Sequence, residues 1–351
     1  QALKEGMKHV SSQLEVKVLP LADGGEGTLE AILNAFAGER IAEKVPHAMG
    51  AQAQAYRGRL KNGQTAVIEL AQASGLAGLS FLNPRQASTY GTGIQIKNAL
   101  DEGAQEIILT LGGSATVDGG TGIISALGGD FFSDEGLCQT FHNHLFHFRQ
   151  VSLSGIHSRA SGAQWRILSD VTNPLTGISG GIKIYGPQKG LRDNDIEWLE
   201  QKMHDWASFL TGGQSEALLS QEGMGAAGGA ALPLVGLWNA QIENGFEWIS
   251  RQTGLEQLIR ESDVVITGEG QLDRQTSMGK GPGKVAAECA RHHKNVIGVC
   301  GRLRDQVAGF SKIYALESFN VSFEDLMNRP EIYLQQLGHK IALDLPLPTG
   351  I

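Results

Sequence analysis

The residue types best suited to chemistry in this chain of 351 residues lie in short glycine-rich segments. Ser169-Asp170-Val171-Thr172-Asn173-Pro174 puts a carboxylate and a carboxamide in a turn that Pro174 keeps out of helix. Asp170 could take the proton of a substrate hydroxyl, as phosphorylation of an alcohol requires, with Asn173 positioning substrate or metal. The same residue types also build ordinary Asx turns. Gly112-Gly113-Ser114-Ala115-Thr116 is the best phosphate cradle, because glycine lets an anion approach backbone N–H groups and two hydroxyls stand among them. Asp118, just beyond, could hold Mg²⁺ or, the favoured reading, stabilise the start of the following helix. Asp23 and Glu26 flank Gly24 and Gly25; two hard oxygen ligands on a tight loop suit Mg²⁺, or else complement a helix dipole. Lys189, within Tyr185-Gly186-Pro187-Gln188-Lys189-Gly190, is either a cation for a phosphoryl group or a solvated surface lysine. Gly268, Glu269, Gly270 and Asp273, followed by Lys280, bring acids and a lysine into one more segment that could meet a nucleotide. Walker A and GxGxxG patterns are both absent.

These loops need strands and helices to aim them. An apolar run, a glycine loop and a helical pattern recur in that order: Val16 to Leu21 leading to Thr28, Glu106 to Leu111 leading to Thr121, and Asp263 to Thr267 leading to Pro282. Thr28 and Thr121 are expected as helix N-caps, and Pro282 as a first-turn proline. Asn295 to Val299 repeats the strand and ends at Cys300-Gly301-Arg302. Alternating strands and helices argue for α/β layering with mostly parallel strands, whose C-terminal ends share one crevice. One stretch differs: Ile41 to Val45, Ala53 to Leu60 and Ala66 to Leu70 read as short strands, the last two joined by an Asn62-Gly63 hairpin turn. A second, mixed-sheet domain is therefore expected over 43–257, inserted into a parallel-sheet domain made of 1–42 and 258–351.

Composition narrows the function. Glycine numbers 47, near twice its usual ~7% share, with no Gly-X-Y period. A net charge of −8 argues against a general nucleic-acid or anionic-membrane binder. No uncharged apolar run reaches the ~18 residues of a spanning helix. Cys138, Cys289 and Cys300 form no CxxC pair and suit a reducing cytoplasm. His142 and His144, read as sharing a strand face, have no acidic or thiol partner to complete a metal site, and His292-His293 reads as structural.

ADGGEGT (22–28), GTG (91–93), GGSATVDGG (112–120), SDVTNPLTG (169–177), YGPQKG (185–190), GMGAAGGAA (223–231), VITGEGQLDRQT (265–276) and GKGPGKVA (279–286) follow one another along nearly the whole chain. As a set they resemble the type I glycerate kinase family, the bacterial glycerate 2-kinases. The resemblance implies an enzyme, a kinase that uses ATP and Mg²⁺ to phosphorylate a hydroxyl of D-glycerate, with 2-phosphoglycerate the favoured product and ADP released. It implies two α/β domains, one flavodoxin-like and discontinuous in sequence, the other an inserted mixed-sheet domain. A small-molecule substrate, no nucleic acid, no membrane and a possible homodimer go with it. Val117 stands where many relatives have Asn and Tyr90 where an Arg is common, residues 137–150 match poorly, and a leading strand with a Pro-Asp-Ser-Lys-type segment is not seen. The rival readings are a dinucleotide-dependent oxidoreductase, which lacks its fingerprint, and a sugar-acid or phosphate-binding module without catalysis.

Overall fold

The computed structural model describes residues 1–138, 141–277, 281–319 and 321–345. They form an α/β protein whose chain divides into two compact units, 21–249 and a discontinuous one made of 1–20 and 250–351.

The larger unit is built on strands β1 (Glu39–Pro46), β2 (Gln52–Arg59), β3 (Thr65–Glu69) and β4 (Glu106–Thr110). A small antiparallel sheet follows, with β5 (Asp130–Ser133), β6 (Gly136–Leu137) and β7 (Gln150–Ser152) in the order β6-β5-β7. Then β8 (Gln164–Leu168) and β9 (Gln241–Glu243) complete a six-stranded sheet in the order β1-β2-β3-β4-β8-β9. Its β1-β2-β3 edge is antiparallel, and β3, β4, β8 and β9 run parallel. The β2–β3 hairpin turns at Gly63, whose φ of +71° favours glycine, while Asn62 Oδ1 accepts from the N–H groups of Gln64 and Thr65. All five residues of β3 are buried, because helices cover both faces of the parallel part. Ile68, Ile107, Leu109 and Ile167 join one core with the helices Tyr90–Asp101, Thr121–Ala126 and Asp193–Thr211. Val67, Ile108 and Leu168 face the other way, against Leu29, Ile32 and Leu33 of the helix Thr28–Phe36 and against Trp248 and Ile249.

The discontinuous unit holds β10 (Val264–Leu272), β11 (Asn295–Leu303) and β12 (Lys312–Ala315) as a parallel sheet in that order. The helices Ala2–Val10 and Pro330–Asp344 cross backbone to backbone: a Cβ on Gly6 would lie 1.8 Å from Gln335 O, and one on Gly338 would lie 2.1 Å from Leu3 O. Met7, Leu337 and Ile341 pack there with Ile297, Val299 and Tyr314. No helix among the described residues is long and apolar enough to cross a membrane.

Several local expectations change. Val16 to Leu21 forms no strand among the described residues; Val18 is 54% exposed, and an apolar run alone makes no ladder without a paired neighbour. β10 does not stop at Thr267 but runs to Leu272, so Gly268-Glu269-Gly270 is strand rather than loop. Gly268 pairs with Val299 and Glu269 with Cys300. The helix Thr28–Phe36 belongs by its contacts to the larger unit, resting on β2 and β3, so the division falls after residue 20 and not after 42. Neither Thr28 nor Thr121 is an N-cap: the caps are Gly27 and Gly120, both left-handed at φ +86° and +71°. His142 and His144 share no strand; His144 opens a short 3₁₀ turn, buried and stacked on Phe131 at 4.5 Å between centroids.

Candidate active site

The site is set by strand register. Glu69, Thr110, Leu168 and Glu243 pair successively across β3, β4, β8 and β9, so the loops beyond them leave the sheet from one row. The segment Ala22 to Gly27 threads between these loops at main-chain contact. Gly112 N–H donates to Gly24 O at 2.9 Å. A Cβ on Gly112 would come within 2.3 Å of Gly25 Cα, and one on Gly24 within 2.9 Å of Leu168 O. On Gly245 it would reach Asp23 O at 2.4 Å. Glycine is needed at these positions because backbones touch there. The loops 22–28, 112–120 and 169–174 are thus brought together, carrying Asp23, Glu26, Gly112 to Thr116 and Asp170.

The helix N-termini beside these loops are already filled. Glu69, 2% exposed at the end of β3, accepts from Leu29 N–H at 2.9 Å and closes the helix Thr28–Phe36. Thr28 Oγ1 turns back to accept from Gly24 N–H at 3.2 Å. Asp118 accepts from Thr89 N–H and Thr89 Oγ1 at 2.8 Å and from the N–H groups of Gly120 and Gly122 at 3.2 Å. Burial pushes its carboxyl pKa up, and these four bonds oppose the shift. Asp118 is therefore a brace that closes the helix Thr121–Ala126 and ties it to Thr89.

What remains open is narrower than the sequence implied. In Gly112 to Thr116, the first N–H is bound to Gly24 and Ala115 N–H donates to Ser74 O at 2.9 Å. The Thr116 hydroxyl is buried without a partner, so it does not line the surface. Gly113 is exposed, and among the described residues nothing accepts from the N–H groups of Gly113 or Ser114. Lys189 is 3% exposed, and its Nζ donates to Ser114 Oγ at 2.7 Å and Thr116 O at 2.9 Å. Burial lowers its pKa to about 7, against the pull of Asp118. The solvated-surface alternative for Lys189 is overturned: the short helix Gly181–Tyr185 and the 3₁₀ turn Pro187–Lys189 carry its chain beneath the loop. Behind the loop, a Cβ on Gly228 would lie 2.3 Å from Thr116 O, so the 223–231 motif backs it through close packing.

The acids sit on the neighbouring loops. Asp23 Oδ1 accepts from Gly25 N–H at 3.0 Å. Glu26 lies against Gly113, where a Cβ would meet its Oε1 at 2.8 Å. Asp170 is half-buried directly after β8, next to Ser169, whose Oγ accepts from Val171 N–H at 3.1 Å. Asn173 spends its side chain on its own loop, donating to Ser179 O and accepting from Tyr185 Oη, both at 2.8 Å.

Gly268, Glu269, Gly270 and Asp273 belong to the discontinuous unit. Thr276 Oγ1 donates to Glu269 Oε1 at 2.7 Å, and Gln271 Nε2 to Asp273 Oδ2 at 2.9 Å. Lys280 lies outside the described residues. Glu256, Glu288 and His292 approach closely enough to share an ion, but Arg260 and Arg291 pair with the two carboxylates. Glu69 was missed by sequence reasoning; its one signal is an acid ending the apolar run Ala66-Val67-Ile68.

Residues 1–345 match the profile of the Glycerate kinase family. The chain is 34% identical to the "Glycerate kinase" of Bacillus subtilis (strain 168), over 99% of this chain and 93% of that one. It is 36% identical to the "Glycerate 2-kinase" of Escherichia coli (strain K12), over 88% and 81%. The crystal structure of a putative glycerate kinase 2 from Salmonella typhimurium LT2 superposes with a TM-score of 0.82 at 33% identity, covering 98% of this chain and 92% of that chain. The chain is thus a member of the glycerate kinase family of phosphotransferases.

Proposed function

We propose that the protein transfers the terminal phosphoryl group of ATP to a hydroxyl of D-glycerate, forming 2-phosphoglycerate and ADP. The observation that carries this reading is the Gly112 N–H to Gly24 O bond, which sets an acidic loop beside unpaired loop donors. Phosphoryl transfer depends on positioning and electrostatics, and this pairing supports both. Asp170 is the group assigned to take the hydroxyl proton, and Asn173 holds the following loop in place for it. Within Gly112 to Thr116, Gly113 and Ser114 are assigned to phosphate oxygens, Lys189 supplies positive charge from behind Ser114, and Lys280 is assigned to charge developing on the transferred group. Gly268, Glu269, Gly270 and Asp273 are assigned to the nucleotide.

Asp23 and Glu26 fit Mg²⁺ by donor type, as two carboxylates across a Gly-Gly turn next to the phosphate loop. When bound, the ion would neutralise phosphate charge that Glu26 otherwise repels. The possible homodimer, the lack of nucleic-acid binding and the cytoplasmic location belong to the same proposal; three unpaired cysteines and a charge of −8 support the last two. The discontinuous unit is read as the flavodoxin-like domain and the larger one as the insert.

The test is a mixture of protein, ATP, Mg²⁺ and D-glycerate assayed for ADP, with the product identified by NMR. Glycerate-dependent ADP release with phosphate on the 2-hydroxyl supports the reading, and none at any pH defeats it. Asp170→Asn is expected to lose turnover, by about 10² or more, while still binding ATP. Wild-type kcat in that variant removes Asp170 from the base role.

A further inference from the structure

We propose that Ser114 is the residue that touches the anionic group of the ligand, and that Lys189 acts from behind it as a positioning residue. This deepens the kinase reading and rests on it. Lys189 Nζ is sealed from solvent and directs one N–H at Ser114 Oγ, 2.7 Å away, and another at Thr116 O, 2.9 Å away. A hydroxyl has one proton and two lone pairs. With an N–H donor on one lone pair, the Ser114 proton has to point elsewhere, and no group among the described residues accepts it. The N–H groups of Ser114 and of the exposed Gly113 likewise meet no acceptor among the described residues. Two adjacent residues therefore present three donors to an oxyanion. The other hydroxyl of the loop, on Thr116, is buried and cannot serve. Asp118 is the charged group that acts on Lys189, and its own carboxylate is engaged by four donors, so the lysine's polarisation is directed to Ser114.

The oxyanion is either a phosphoryl oxygen or the carboxylate of the acid substrate, and binding experiments separate the two. Inorganic tripolyphosphate and D-glycerate would each be titrated calorimetrically into wild type, Ser114→Ala, Lys189→Met and the double variant. kcat/KM for ATP and for glycerate would be measured against pH in parallel, with thermal melts to verify folding. Each single variant is expected to weaken one probe and to lower the matching kcat/KM by ~10²-fold, the usual cost of one preorganised donor. The double variant should be no worse than Ser114→Ala, because both changes remove one interaction. Ser114→Thr, which keeps the hydroxyl, should recover most of the loss. In wild type, activity should fall as Lys189 loses its proton, and that limb should vanish in Ser114→Ala.

Loss of tripolyphosphate binding identifies phosphate as the oxyanion, and loss of glycerate binding identifies carboxylate. Multiplying losses in the double variant would mean that Lys189 meets the ligand independently, and the proposal fails. It also fails if neither probe's affinity changes in a folded Ser114→Ala protein. If wild type binds tripolyphosphate but never releases ADP with glycerate, the kinase reading fails while the pairing is still judged by the binding arm.

Discussion

Two glycine segments that look alike in sequence, Gly112-Gly113-Ser114 and Gly268-Glu269-Gly270, have opposite structures. The first leaves the sheet after β4, bonded to Gly24 and bridged at Ser114 to Gly75, and the N–H groups of Gly113 and Ser114 meet no acceptor among the described residues. The second continues β10, where Gly268 meets Val299 so closely that a Cβ would lie 2.2 Å from the Val299 carbonyl oxygen. One glycine segment leaves backbone N–H groups open, and the other lets two strands pair. Glycine content marks close backbone approach, and only the neighbouring chain decides what approaches.

Substitutions should separate these two uses. Gly112→Ala forces the acidic loop away from the 112–116 loop, and a displacement of ~1 Å at such a site costs ~10²-fold in kcat/KM. Steady-state kinetics with ATP and glycerate checks this; near-normal kcat/KM would mean that the 24–112 contact is dispensable. Gly268→Ala should instead act on stability, lowering the denaturation free energy by about 1–3 kcal/mol through overpacking of the β10–β11 ladder, as read by urea titration. An unchanged midpoint would show that the strands separate at no cost.

The charge behind the first segment gives a pH signature that the second lacks. Lys189 has a folded-state pKa lowered from 10.5 to about 7, so between those values the unfolded chain binds more protons than the folded one. Stability should therefore rise with pH across that window, by at most about 1.4 kcal/mol per pH unit, and Lys189→Met should remove the slope. Denaturation midpoints near pH 7 and pH 10 for both proteins test the sign. The smallest effect is expected at Gly270, where an added Cβ meets nothing within 4 Å. Gly270→Ala should leave stability within about 0.5 kcal/mol, and a larger loss would mean that the end of β10 is tightly packed.

Much of the architecture was legible because its signals are local. Asn62-Gly63 announced its hairpin, and the run Glu106 to Leu111 before glycines announced β4 and its loop. The candidate loops could be picked out for the same reason, since small residues next to acids and hydroxyls are visible without a fold. What was hidden depends on partners distant in sequence. Thr28 has the right type for a cap, but Glu69 closes that helix from 40 positions away. Lys189 looks like any surface lysine until Ser114, 75 positions earlier, is placed on its Nζ. Val16 to Leu21 has a strand's apolar composition but pairs with no strand among the described residues, and β10 outruns its expected end because β11 keeps pairing with it.

The backbone bond between Gly24 and Gly112 also bears on how the molecule folds. Gly24 touches the chain at Gly112, Leu168 and Gly245, and none of these contacts is available until long loops have closed. Such non-local closure is slow and comes late, after the hairpin and the local helices have formed. The Gly112 amide hydrogen should therefore gain protection from exchange only together with the six-stranded sheet. The loops around Gly24 and Gly112 are thus expected to close only with the core and not to nucleate it.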